Sequence, residues 1–279
     1  MGEIRISDCR HGRFMYYAND RFIGLALEKY GEYSEGEIVL WRQFIRPGMI
    51  VADIGANIGT FTVWMAKTVG PTGRVYAVEP QLQIYQMLVG NLALNEIKNT
   101  LTLRGALGAS VGQTNVPQVD YDLNNANFGG VSLVGDSNML VGGPGEVIPV
   151  IPLDTIPGPF HFIKIDVEGM ELDVLKGAVE TLKRDKPILY IENDRPDKSE
   201  ELIKWLLAAN YRLWWHLPPA FNPKNFRKSL ENVFDLNMLG QNQQLVSGNM
   251  FCVPASMSAQ ITGLPEITQP VGGPNDFVN

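Results

Sequence analysis

The sequence predicts an α/β fold, an open and mostly parallel sheet with helices on both faces. Three observations predict it. A short apolar run, Met49 to Ala52, meets Asp53, passes through the turn Gly55-Ala56-Asn57-Ile58-Gly59 and continues as a helical pattern from Thr60. A second run, Arg74 to Glu79, repeats the strand that ends in an acid. Two more runs, Phe162 to Ile165 and Ile188 to Ile191, stop at Asp166 and Glu192 with a helical stretch between them. Strands alternating with helices pair in parallel, and ligands of such sheets bind beyond the carboxyl ends of the strands, where these acids gather.

The remaining elements follow in order. After Glu79, Pro80 opens a helix that carries Tyr85, Leu88 and Leu92 at helical spacing and stops near Asn95. Leu101 to Leu107 reads as the third strand. Residues 111–150 are rich in glycine with short β-like pieces between, the pattern of a β-rich insertion, a hairpin or lid. Beyond Asp166, Leu172, Leu175, Val179 and Leu182 form one helical stripe, closed by Pro187. A helix from about Asp197 to Ala209 turns Leu202, Ile203, Leu206 and Leu207 inward, and Tyr211 to Trp215 with Asn249 to Val253 form a closing pair of strands. Residues 1–48 are an N-terminal cap region, 49–254 the main domain with a loop at 218–244, and the Pro- and Gly-rich residues 255–279 an extended or mobile tail.

The glycine turn selects its ligand by what it lacks. A dinucleotide fingerprint needs G-x-G-x-x-G, and here the middle and last glycines are missing. A phosphate-binding Walker loop needs Gly-Lys-Ser/Thr, which is absent from the turn. A helix N-terminus still favours a carboxylate. Glu79 lies 24 residues beyond Gly55, close to the roughly 20 expected of an acid that accepts ribose hydroxyls. S-adenosylmethionine offers this combination: an amino-acid carboxylate, a ribose diol and no phosphate.

Composition agrees with a globular enzyme. The chain has 279 residues, 45% of them hydrophobic and 19% charged, which excludes wholesale disorder. A net charge of −7 argues against a duplex-binding face, so no nucleic-acid partner is expected. Two cysteines, Cys9 and Cys252, are too few for a disulfide framework. No run approaches the roughly 20 apolar residues of a membrane span, and the first residues lack the apolar core of a signal peptide, so a cytoplasmic protein is expected.

The chain resembles the FkbM-type family of S-adenosylmethionine-dependent methyltransferases. The resemblance is carried by Tyr30-Gly31-Glu32-Tyr33-Ser34, Asp53-Ile54-Gly55-Ala56-Asn57-Ile58-Gly59, Val78-Glu79-Pro80, Pro152-Leu153-Asp154, and Ile165-Asp166-Val167-Glu168-Gly169 with Glu171 and Leu175-Lys176-Gly177. It implies a Rossmann-like methyltransferase fold with a seven-stranded sheet whose last strand is antiparallel, and O-methylation, often of sugar hydroxyls. It also implies roles. Asp53, Gly55 and Ala56 face the methionine end of the cofactor, and Asn57 and Gly59 line the turn. Glu79 with Pro80 takes the ribose, and Ala106 and Leu107 flank the adenine. Tyr33, Ser34 and Glu37 fold over the cofactor or, alternatively, cap an N-terminal helix.

Asp166, beside the transferred methyl group, is the first candidate base, and His216 the alternative. Glu168 and Glu171 open the following helix, where acids are also favoured by the dipole, and Glu168 is a candidate substrate contact. Asp166, Glu192 and Asn193 resemble the metal site of catechol-type O-methyltransferases, a set suited to Mg²⁺ or another divalent cation. The same carboxylates could instead cap helices or bind acceptor hydroxyls. Asn127 in a glycine turn and Trp215 are further candidate substrate contacts, against a structural hairpin and core packing. The expected activity is O-methylation of a sugar-like, glycan or small natural-product acceptor, with N-methylation or a non-catalytic scaffold as alternatives.

Overall fold

The computed structural model describes residues 2–124, 126–131, 133, 145–234 and 247–270. Parts of the expected insertion, of the 218–244 loop and of the tail, including Gly135, Gly142, Gly143, Gly272 and Gly273, lie outside the described residues. An antiparallel hairpin, β1 (Ile4–Cys9) and β2 (Gly12–Tyr17), leads into α1 (Ile23–Tyr30) and α2 (Glu35–Trp41). The sheet then begins with β3 (Ile50–Ile54), α3 (Thr60–Val69), β4 (Arg74–Glu79), α4 (Leu82–Leu94) and β5 (Thr100–Arg104). It continues with β9 (Phe162–Ile165), α5 (Glu171–Lys176), α6 (Val179–Asp185), β10 (Ile188–Glu192), α7 (Pro196–Ala208), β11 (Tyr211–His216) and β12 (Asn249–Pro254).

In space the strands run β5-β4-β3-β9-β10-β12-β11. The first five are parallel, and β12 lies antiparallel between β10 and β11. This is the Rossmann-like methyltransferase arrangement, with chain order reversing at β3 and opening a crevice between β3 and β9. A short eighth strand, β13 (Glu266–Ile267), pairs with the outer edge of β11, so part of the tail belongs to the sheet. None of the described helices is long and apolar enough to cross a membrane.

Two elements differ from expectation. The third strand breaks at Gly105, where a side chain would press on the Pro149 carbonyl, and β6 (Ala106–Leu107) leaves the main sheet. It joins a separate three-stranded sheet with β8 (Glu146–Ile151) and β7 (Gly112–Val116), the described part of the insertion. The stripe from Leu172 to Leu182 also divides into α5 and α6 at Gly177. A Cβ there would fall 2.0 Å from the Gly108 carbonyl oxygen. The Asp154 carboxylate accepts from the Glu180 and Thr181 amides, so the Pro152-Leu153-Asp154 motif caps α6.

Apolar residues fill both faces of the sheet. Ile163, Ile165, Leu189 and Ile191 pack against α5–α7 through Leu175, Leu202 and Leu206. On the other face Trp41, fully buried, packs among Phe61, Trp64, Phe162 and Tyr190. The cap is clamped to distant chain. Both Glu32 oxygens are occupied, one by the Asn222 amide at 2.7 Å and the other by Arg10 and the Phe226 N–H at 2.7 Å each. Asp20, buried, accepts from the amides of Phe22, Gly24 and Phe128 and ties the glycine turn around Asn127 to the cap.

One ionic pair interrupts the apolar sheet. Asp53 on β3 and Lys164 on β9 are register partners in adjacent central strands, both buried, 3.5 Å apart. Removing one partner of such a pair costs about 3–5 kcal/mol, because the other charge stays buried and unpaired. Lys164→Met is therefore expected to lose about that much unfolding free energy in urea titrations, and adding Asp53→Asn to recover part of it. Equal stability of the two variants would contradict this account.

Candidate active site

The crevice holds a cavity of about 310 Å³ beyond the carboxyl ends of β3, β4, β9 and β10. Its floor starts at Gly55. The Gly55 and Ala56 amides donate to the Val78 carbonyl, which curls the chain away from β3. Gly55 has φ +77°, and a Cβ on it would lie 1.7 Å from the Asp166 carbonyl oxygen. Only glycine lets the two loops touch through backbone here. Asn57, at φ 50°, places its own side-chain oxygen on the Ile58 amide, and Gly59 follows at φ +87° as the cap of α3.

Glu79 faces this turn. One carboxylate oxygen accepts from the Asn57 amide at 3.0 Å and the other from the Gln81 amide at 2.9 Å. Burial pushes its pKa up to about 7 against the pull of those two bonds. Pro80, Ala106 and Leu107 continue the same wall, and Asn127 closes it from the glycine turn, where its side-chain oxygen accepts from the Gly130 amide. Tyr33 and Ser34 line the opposite side, and Glu37 stands one hydroxyl behind, accepting from Ser34 Oγ at 2.6 Å.

The acid-rich end is organised by Lys164. Its ammonium donates to the Gly55 carbonyl at 2.9 Å and lies 3.1 Å from Asp166. Burial disfavours its charge, but Asp166 and Asp53 outweigh that and hold the amine well above the usual lysine range. Asp166, Glu168 and Glu192 offer oxygens within 4.8 Å of one another. Glu168, at φ 55°, pairs with Arg195 at 2.8 Å; burial, and then the Asp166 charge, push its pKa up to about 7. Burial pushes Glu192 well above the usual carboxylate range, and the Asp166 and Glu168 charges push the same way. Glu171 instead accepts from the Val167 and Gly169 amides and braces the loop.

Several residues expected at the site lie away from the cavity wall. Asp53 sits beneath the floor, fully buried, where it accepts from Thr62 Oγ1 at 2.6 Å and pairs with Lys164, so it acts through that lysine. Trp215 is fully buried in the core beside Leu213 and Met250, because inward-facing β11 positions point into the helix layer. His216 is set behind Tyr190, whose hydroxyl meets His216 Nδ1 at 2.7 Å, and burial lowers the imidazole pKa to about 4. Asn193 turns its amide nitrogen to Ser199 Oγ and Met250 Sδ. Of the expected metal set, Asp166 and Glu192 come together, with Glu168 as the third carboxylate of the group. Of these three carboxylates, Asp166 lies against Lys164, which it shares with Asp53, and Glu168 pairs with Arg195.

Other contributors were missed from sequence. Lys164 had a signal, a lone charge inside the apolar run Phe162 to Ile165, which a central strand tolerates only when paired. Phe22, Ala220 and Phe234 form an apolar wall opposite the acids, with Phe22 and Phe234 stacked at 6.1 Å. No local pattern marks that wall, because Phe22 lies 198 residues before Ala220 and 212 before Phe234.

Known proteins resemble the chain. A family model described as the methyltransferase FkbM domain matches residues 53–213. Methyltransferase sdnD of Sordaria araneosa is 30% identical over 161 residues, 47% of this chain and 60% of that protein, so the chain spans less than two thirds of this relative. Among solved structures, an FkbM methyltransferase of Methylobacillus flagellatus has a TM-score of 0.47 at 19% identity, over 76% of this chain and 49% of that one. An S-adenosylmethionine-dependent O-methyltransferase of Thermotoga maritima has a TM-score of 0.45 at 12% identity, over 81% and 66%. With more than half of its length matched by the family model, the chain belongs to the FkbM methyltransferase family.

Proposed function

We propose that the protein transfers the methyl group of S-adenosylmethionine to a hydroxyl of a sugar-like or small natural-product acceptor. The observation that carries this reading is Glu79, whose carboxylate is braced at the cavity wall by two backbone amides, one of them that of Asn57 in the glycine turn. A braced carboxylate beside a helix N-terminus suits a ribose diol followed by an amino-acid carboxylate. In this reading Ala106 and Leu107 flank the adenine, and Tyr33, Ser34 and Ala56 surround the methionine end. The sulfonium then points toward Asp166.

Methyl transfer is an in-line displacement, so the protein mainly aligns the acceptor oxygen with the S–CH₃ axis. Orientation of this kind can supply about 7–11 kcal/mol. The acceptor end favours a polyol: Phe22 and Phe234 offer apolar faces for ring C–H groups, and Glu168, Glu192 and Asp194 offer hydroxyl acceptors. Asp166, held in place by Lys164, is the group assigned to the acceptor proton at its first step.

Calorimetry with S-adenosylhomocysteine tests the donor site. Glu79→Ala is expected to weaken binding about 10–100-fold, the loss of hydrogen bonds to a charged group. The ribose hydroxyls need the ionised carboxylate, and free Glu79 is protonated below about 7. Affinity is therefore expected to fall as pH drops below about 7 in the parent and to be flatter in Glu79→Ala. Absence of any binding removes both methyltransferase readings and leaves a scaffold.

Labelled methyl transfer into a cell extract, with identification of the labelled product, tests the chemistry. A methyl ether is expected, and a methylamine would point to N-methylation. Asp166→Ala is expected to lower transfer at least about tenfold, given the ~10²–10⁴-fold worth of a positioned base, with S-adenosylhomocysteine affinity unchanged. Near-normal transfer removes Asp166 from its role.

A further inference from the structure

Gln81 follows Pro80 on the donor side, and it is buried although it borders the cavity. Its main-chain amide braces Glu79 at 2.9 Å, while its side chain turns to a different segment. Nε2 donates to the Phe128 carbonyl at 2.9 Å, and Oε1 accepts from the Tyr121 hydroxyl at 3.0 Å. These partners lie 47 and 40 residues further along the chain. The Phe128 peptide is thereby gripped on both sides, because its N–H already donates to Asp20 at 3.2 Å. Its neighbours Asn127, Gly129, Gly130 and Val131 all line the cavity. Gly129 approaches the Gly55 turn so closely that a Cβ on it would fall 2.6 Å from Asn57 Nδ2.

We propose that Gln81 is a positioning residue for the donor: its side chain fastens residues 127–131 against the cofactor side of the cavity. The proposal rests on the methyltransferase reading above. In that reading Glu79 takes the ribose, and the second residue after it holds the wall that faces the bound donor. A fastened wall leaves the cofactor one place to sit, and a misplacement of about 1 Å can cost about 100-fold in rate. It also slows the departure of a bound donor more than its arrival, since differences within one site fall mostly on the dissociation rate.

The residue type at this position answers to the task. A buried amide is unfavourable unless both of its ends are partnered, and an apolar side chain would fill the same space without that demand. What the glutamine adds is direction. Its amide offers donors at one end and an acceptor at the other, whereas an ionised glutamate would turn a second acceptor to the Phe128 carbonyl. Tyr121 decides which end faces which partner. Burial, and then the Glu79 charge, hold its hydroxyl well above the usual tyrosine range, so it stays a donor. Its ring is fixed in turn, stacked on Tyr17 at 5.2 Å and set against Phe128 at 5.0 Å. The two hydrogen bonds therefore act in series, from Tyr121 through Gln81 to Phe128.

Surface plasmon resonance with S-adenosylhomocysteine, together with amide hydrogen exchange of the free protein, tests the fastening without a known acceptor. Gln81→Met keeps the length of the side chain and removes both polar ends, and Tyr121→Phe removes only the hydroxyl. Gln81→Met is expected to weaken affinity about tenfold, through faster dissociation at an unchanged association rate. Exchange across residues 126–131 is expected to rise at least about tenfold in this variant, while β3 and β4 exchange as in the parent. Tyr121→Phe should move both readouts the same way by less, and the double variant should match Gln81→Met, because bonds in series do not add. Unaltered dissociation in Gln81→Met, exchange that rises equally in β3 and β4, or additive losses in the double variant overturn the proposal. If Gln81→Met does not fold, Tyr121→Phe decides: faster dissociation supports the fastening and unaltered dissociation overturns it. Absence of S-adenosylhomocysteine binding to the parent, with the exchange of 126–131 still raised in Gln81→Met, would instead overturn the methyltransferase reading; without that rise both fall.

Discussion

The buried ammonium of Lys164 is the interaction on which the rest of the site depends. A charge in the middle of a central parallel strand has no solvent to turn to, so the fold must surround it with acceptors. It does so with Asp53 from the neighbouring strand, the Gly55 carbonyl from the turn and Asp166 from the end of its own strand. These three partners belong to the floor, the donor turn and the acid-rich end. One side chain therefore sets the spacing between the glycine turn and the acid-rich end of the cavity. The close backbone approach of Gly55 to the Asp166 carbonyl reinforces the same spacing without any side chain.

Around that centre the two ends of the cavity are built differently. The donor side comes from consecutive strand ends and their following turns, Gly55 to Asn57 and Glu79 to Gln81, joined by short backbone-to-carboxylate bonds. The opposite side comes from parts distant in sequence, Phe22 on the cap and Ala220 and Phe234 from the long loop, held by the contacts of Glu32 with Asn222 and Phe226. One wall of the cavity is thus local in sequence and the other is assembled from a distance.

The sheet was legible because its strands carry their own evidence: apolar runs that end in acids, with helical stripes between. The seven-stranded sheet with an antiparallel last strand came from resemblance, and the structure agrees, with a short eighth strand added at the edge. Breaks at Gly105 and Gly177 were not legible, since each depends on a carbonyl that approaches from elsewhere in the chain. The same limit applies within the site. Asp53, Trp215, His216 and Asn193 have the right chemistry and stand near strand ends, yet which way a side chain turns is decided by sheet register and by neighbours such as Ser199 and Tyr190. Gly55, Asn57 and Glu79 do come together at the cavity wall, because the tight turn itself asks for small residues there and its amides for an acceptor.

The Glu32 clamp bears on when the protein becomes competent. Its partner Asn222 lies 190 residues away, and Ser247 and Gly248, which also line the cavity, come later still. Loop closure over such distances is slow compared with local hairpin and helix formation. A chain emerging from the ribosome would complete its donor turn long before it could complete the wall that faces it. During that interval the unfinished crevice stands open to water on that side, and the cavity is closed only once residue 248 has been made.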